Sequence, residues 1–399
     1  VAALAKSNEQ IANYGGAVSV GATAGSTGVA LGATIVTNTI TGNTTSDVNE
    51  SNITALGNDT GVSIMDRTVT ETTDEDGNTT HAVESKENKN KKGFVVNADA
   101  NHAVNDISIT AGVGASSATG VAADATVVIN TIGGKTGATV SNSKINKEAT
   151  ELTNADVSVT AYDKADINSH LGTLAVGASG TAGVGAAGAG DRNTVSRETV
   201  AEITSTDTNK NTLNAHDASV KALGVAAGAS GAGAAAAIGS VSDDHFTSQT
   251  KALISGMKGT VHNLDVNAQR LADVKTYNNS FALSGGVGSG SVGVGVTNIY
   301  DESATNAEIA YSNFDTDSDT EKGHIHVDAH NYTDLKTELS DNSLAVSIGG
   351  AVGVSVANVN VESQVGAKVS NSELGTKNSF DTVSVTANND ISNTYTNVS

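Results

Sequence analysis

A self-similar element returns about every sixty residues, and a chain built this way stacks repeats instead of wrapping one core. Val-x-Ala occurs at Val96-Asn97-Ala98, Val159-Thr160-Ala161, Val220-Lys221-Ala222, Val266-Asn267-Ala268, Val327-Asp328-Ala329 and Val385-Thr386-Ala387. The alanines are 63, 61, 46, 61 and 58 residues apart. Val1-Ala2-Ala3 reads as an earlier copy, 95 residues before Ala98, which implies one insertion. Six residues after most of these alanines stands a branched aliphatic: Val104, Ile167, Val274, Leu335. The last copy places Ile391 at four residues instead.

A Gly/Ala-rich run with alternating Val follows in each unit, most clearly over Phe281–Tyr300 and Ser343–Val361. Four runs end in Val-x-Asn: Val36/Asn38, Val128/Asn130, Val296/Asn298 and Val356/Asn358. A third element, Ala-x-(Val/Ile), comes next at Ala138/Val140, Ala201/Ile203, Ala252/Ile254, Ala307/Ile309 and Ala367/Val369. Several copies then run into Ser-Asn or Ser.

Val, Ile and Thr at every second position suit a pleated surface, and alternation is the strand period. A helical reading of the Ala-rich runs fails on their glycines, each costing a helix about 1 kcal/mol relative to Ala. The chain has 43 Gly and no Pro, Cys or Trp. Missing Pro agrees with uninterrupted strand ladders, and small side chains let sheet faces approach closely. The expected fold is therefore all-β: a parallel β-helix, or β-solenoid, forming one continuous segment over residues 1–399. Three strand stations per sixty-residue repeat suggest about three coils each, of about twenty residues. Eighteen to twenty coils at about 4.8 Å spacing would make a rod of about 90 Å. Gly349 and Gly350 are expected inside it. The acidic stretches Thr41–Thr60, Lys144–Asn154, Ser205–Asn214 and Thr316–Gly323 read as loops.

One segment breaks the period. Thr68–Ser85 alternates around Asp76-Gly77, a strong hairpin-turn pair. The following Lys86, Lys89, Lys91 and Lys92 form a basic patch in a chain of net charge −21. Together, residues 68–92 read as a hairpin arm projecting into solvent. The lysines are the interaction candidates, since recognition concentrates on loops held by rigid scaffolds.

Chemical motifs are mostly decoys. Gly183-Val-Gly185-Ala-Ala-Gly188 and Gly288-Ser-Gly290-Ser-Val-Gly293 match G-x-G-x-x-G, but both sit in a repeated strand with no helix behind. Gly133-Gly134-Lys135-Thr136 lacks the first glycine of a P-loop. Asp315, Asp317 and Asp319 have the spacing that opens a calcium loop, yet Thr320 replaces the turn glycine and His326 the bidentate Glu. They stand as weak calcium candidates. His324 and His326 share one strand face, and His330 joins it if the strand continues. Without Cys or a partnered Glu-x-x-His, exposed histidines are the plainer reading. No cofactor site, catalytic triad or other enzymatic signature emerges. The polyanionic balance opposes binding to nucleic acid or anionic lipid.

With the repeats laid out, units such as Ser343–Leu374 and Ala125–Ile145 resemble the passenger regions of large Gram-negative surface adhesins. These are the filamentous-haemagglutinin-like, or leukotoxin-type, autotransporter families. The resemblance spans nearly the whole chain at the level of repeat and composition. It implies a secreted, extracellular rod at the bacterial cell surface that mediates attachment or cell–cell aggregation. Its partners would be a host-cell or bacterial surface protein or glycan, with lateral self-association. Any membrane link would run through a barrel or anchor outside this sequence. Two other classes stay open: a polysaccharide-processing β-helix enzyme, which should show a non-repeated Asp, Lys and Arg cluster on one face, and a toxin-like secreted protein.

Overall fold

In the computed structural model, the alternating segments form strands that are far longer than usual, and among the described residues every regular element is a strand. The structure describes residues 1–398 except 59, 76, 78, 180–181, 208–209, 236, 286–290, 318–321 and 347–350. Gly349 and Gly350 thus lie outside the described residues. Among those described, no helix is long and apolar enough to cross a membrane.

Two ten-stranded sheets dominate. In each repeat the first half enters a front sheet; the chain then reverses, and the second half returns in a back sheet. Phe94–Ser116 runs out in front, and Thr119–Ser141 runs back behind it. Within each sheet, neighbouring strands are parallel. The front ladder carries Val96, Val159, Val220, Val266, Val327 and Val385 side by side. The back ladder does the same with Ala138, Ala201, Ala252, Ala307 and Ala367.

This register corrects the expected coil count. A sixty-residue repeat makes one pass, here called a rung, and not three coils. The Val-x-Ala station and the start of the glycine-rich run belong to one unbroken front strand; the run then crosses the reversal, and its Val-x-Asn end shares the back strand with the Ala-x-(Val/Ile) station. Seven front strands at about 4.8 Å spacing make a stack about 30 Å thick, while 23 residues extend about 75 Å along a rung. The 90 Å stack is therefore not what forms. The first copy also shifts, since Ala3-Leu4-Ala5 pairs with Val96-Asn97-Ala98.

The core lies between the sheets. At the foot of each rung, front residues Val96, Ala98, Val159 and Val220 pack against back residues Ala138, Val140, Ile203 and Ile254, with Phe94 and Phe314 closing the layer. A second apolar layer joins Val104, Ile167, Val274 and Leu335 to Ile132, Val195, Phe246 and Ile299. Near the far turn the sheets nearly touch. A Cβ added at Gly21, Gly114 or Gly177 would meet the carbonyl of Val29, Val121 or Val184 on the facing strand. These are places where only glycine fits.

The Ser-Asn signal also acquires a role. Glu50, Asn142, Gly256, Tyr311 and Asn371 all have φ between 48° and 69°, and each follows the end of a back strand. This repeated left-handed residue turns the chain out of the sheet. Asn142 N donates to Thr204 O at 2.8 Å, so the corner is bonded to the next rung.

The Val-x-Asn copies divide. Asn38 and Asn130 stand eight residues before their station (Ser46, Ala138) and point inward, buried. Asn298 and Asn358 stand nine before theirs (Ala307, Ala367) and meet each other on an exposed face at 2.9 Å. One residue of slip exchanges the faces.

Candidate contact site under the hairpin arm

The insertion does form an antiparallel hairpin, from Val62–Thr73 and Thr79–Lys91. Gly77 N donates to Asp74 O at 3.1 Å, and Gly77 takes φ 85°, which glycine accommodates without strain. Asp76 lies outside the described residues.

The arm does not project into solvent. It lies along the outer face of the front sheet and crosses five successive strands. Arg67 Nη2 bonds Asp99 at 2.9 Å, and its guanidinium sits 3.8 Å from the centroid of the Tyr162 ring. Val69 and Val83, paired across the hairpin, pack against Leu223, Val225, Leu271 and Tyr332. His81 donates its backbone N–H to Asp334 Oδ2 at 2.6 Å, and its Nδ1 lies 2.7 Å from Oδ1. Its ring centroid is 4.6 Å from that of Tyr332. The physical reason is the outward face beneath: Tyr162, Leu223, Leu271 and Tyr332 would be a wet apolar patch without a cover. Burial under the arm pushes the Tyr162 phenol up to about 12, against the opposing pull of Arg67.

Beside the arm a cleft of about 630 Å³ remains, lined by Lys6, Arg67, Tyr162, Lys164, Asp166 and Asp273, among others. Its carboxylates are matched with cations: Asp99 with Arg67, Asp166 with Lys164 at 2.5 Å, and Asp273 with Lys275 at 2.7 Å. An aromatic wall ringed by paired charges offers many donors and acceptors to a polar ligand. It offers no carboxyl standing apart as a general acid.

The four lysines are not brought together as one patch. Lys86 and Lys89 lie on the exposed strand, with Lys89 Nζ 3.6 Å from Glu87. Lys91 and Lys92 line a separate hollow of about 290 Å³ at the foot of the arm, with Val1, Gly57 and Val95. The calcium candidates also part company. Asp315 accepts from Lys377 N at 2.8 Å, whereas Asp317 faces His262 Nδ1 at 2.9 Å. Asp319 falls outside the described residues. The two described carboxylates serve corner contacts with different rungs.

His324 and His326 do share a face, with ring centroids 4.1 Å apart. The strand continues, so His330 lies on that face too, but it stands apart from the pair: it stacks on Tyr332 and its Nε2 lies 2.6 Å from Asp390. Upstream, His216 stacks on His262 at 4.8 Å.

Charges missed in the sequence lie in the interior. Arg197 Nε bonds Asp163 at 2.7 Å, and Arg270 makes a two-bond fork to Asp301 with both distances 2.9 Å. Burial, and then Arg197, push the pKa of His102 down and favour its neutral form. Asp163 is pushed up by burial, opposed by Arg197. These groups are sealed between the sheets and tie front to back. No family model, curated protein or solved structure matches the chain.

Proposed function

We propose that this chain is a segment of a β-solenoid rod of the kind used by Gram-negative surface adhesins, extracellular, and serving attachment or cell–cell aggregation. The observation that carries the reading is the unbroken register of successive repeats. Such stacking builds a stiff scaffold in which each rung rests on its neighbours. Regular rungs present much the same surface again and again. The arm and its cleft are the feature that departs from the repeat, and so they are where discrimination between partners belongs. The mixed charges and the Tyr162 wall suit a glycan or a polar protein surface.

The test is binding of the purified chain to bacterial and host-cell surfaces and to immobilised glycans. The Lys164→Ala/Asp166→Ala variant is expected to lose most of that binding while keeping its strand circular dichroism. Unchanged binding would move the contact away from the cleft, and a parent inert on every surface would leave only a spacer role.

One observation favours a polysaccharide-processing enzyme as a second reading. Lys6, Arg67, Lys164, Asp99, Asp166 and Asp273 form the non-repeated cluster such an enzyme needs. The charge matching described above favours recognition over turnover. Release of new chain ends from acidic polysaccharides, abolished by Lys164→Ala, would reverse that ordering.

A further inference from the structure

Asp265 stands directly beside His326 in the parallel register of neighbouring front strands, and His324 is two residues earlier on the same face. Asp265 Oδ1 is 3.4 Å from His324 Nε2 and 3.5 Å from His326 Nδ1. Both separations exceed the usual range of about 2.7–3.2 Å for N–H···O hydrogen bonds. They match another geometry. Zinc bonds of about 2.0–2.1 Å at tetrahedral angles leave ligand atoms roughly 3.3–3.4 Å from one another. The three ligand atoms all lie within 4.8 Å of each other, so small side-chain rotations close the remaining edge.

We infer that Asp265, His324 and His326 bind a divalent transition-metal ion, zinc above all, on the outer face of the front sheet. Two imidazoles and one carboxylate select zinc, nickel or copper over calcium and magnesium, which prefer all-oxygen shells. The side chains are 37%, 36% and 39% exposed, so an ion can enter without opening the fold. The fourth coordination position faces solvent, where water or a donor from another surface completes the shell. The ligands are also supported from behind. His324 donates its backbone N–H to Asn263 Oδ1 at 3.1 Å, which fixes the start of its strand against the neighbour. A bound ion would clamp two successive rungs at a point where no backbone bond needs to change.

Two other groups that share His216 are the internal competitors: Asp156, His216 and Asp217, and His216, His262 and Asp317. There the His262–Asp317 contact of 2.9 Å is already a hydrogen bond, which a metal would have to displace. The test uses tag-free protein, with zinc followed by equilibrium dialysis and cobalt(II) by its ligand-field absorption. One zinc per chain and an intense, tetrahedral-type cobalt spectrum are expected. His324→Ala/His326→Ala and Asp265→Asn should each weaken binding by more than the roughly 10–100-fold typical of losing a supporting group. His216→Ala/His262→Ala should leave it unchanged. Far-ultraviolet circular dichroism checks that each variant is folded. The assignment falls if the parent binds no zinc, or if binding survives His324→Ala/His326→Ala.

Discussion

The same pair of strands fills its interior in two different ways. At the foot of a rung, Val96, Ala98, Ala138 and Val140 pack dry against one another. Farther along the strands, polar side chains replace them. Asn38 donates to Asp106 Oδ2 and to Asn130 Oδ1, both at 2.9 Å; Asn130 donates to Asn193 at 2.9 Å; Asn193 reaches Asp191 at 3.0 Å and Asp244 at 2.8 Å. Most of these bonds run along the stack, from one rung to the next. Valine is indifferent to a neighbour slipping by two residues, since another apolar group takes its place. A buried amide is not indifferent, because losing its partner exposes the full cost of desolvation. The foot supplies stabilisation, and the ladder specifies register.

The contrast is sharpest where charge enters the polar region. Arg270→Ala would leave Asp301 buried beside no cation, at a cost of about 3–5 kcal/mol. Denaturant unfolding measures it, and a loss below about 1 kcal/mol would mean that water reaches Asp301. Truncation at the foot comes next: Ile254→Ala should cost about 2–5 kcal/mol. A smaller loss, about 1–3 kcal/mol, is expected when Asn130→Ala breaks the ladder. If Asn130→Ala proves costlier than Ile254→Ala, the ladder carries stability as well as register.

The gentlest probe is pH. Burial, reinforced by Asp244, holds the Asp191 pKa well above its ordinary value. A carboxyl raised in the folded state contributes stability that is fully present below its unfolded value of about 3.9 and is lost as pH rises through the folded value. Asp191→Asn should therefore gain on the parent as pH climbs from about 4 towards neutrality. Denaturant midpoints at several pH values test this, and a gap independent of pH would rule it out.

Much of this frame is legible in the chain. The Val-x-Ala and Ala-x-(Val/Ile) stations are true ladder partners, and strand alternation is plain. What misleads is division of the repeat. Three stations suggest three coils, but alternation runs unbroken through a strand as long as Phe94–Ser116, past Asn105-Asp106 and two glycines, so length had to be read from the persistence of the two-residue period. The strapped arm is hidden because its apolar seats, Tyr162, Leu223, Leu271 and Tyr332, are single outward residues scattered over four repeats. Asp265 was within reach: it precedes Val266 as His326 precedes Val327, so register alone makes them neighbours. The buried Arg270–Asp301 pair joins opposite sheets, and no spacing within one repeat announces it.

The register carries a consequence for how the chain acquires its shape. From Phe94 onward, strands of the front sheet meet partners 46 to 63 residues away, so no pairing there is local. The first pair must close a long loop with nothing yet to rest on, and chains dominated by distant pairings fold slowly. Each later pass closes a loop of similar length, and closure entropy rises only with the logarithm of that length. It also lands on an edge whose hydrogen-bonding groups are already in line. Nucleation is thus the slow event and growth the fast one, so a chain released one end first would wind up progressively from that end.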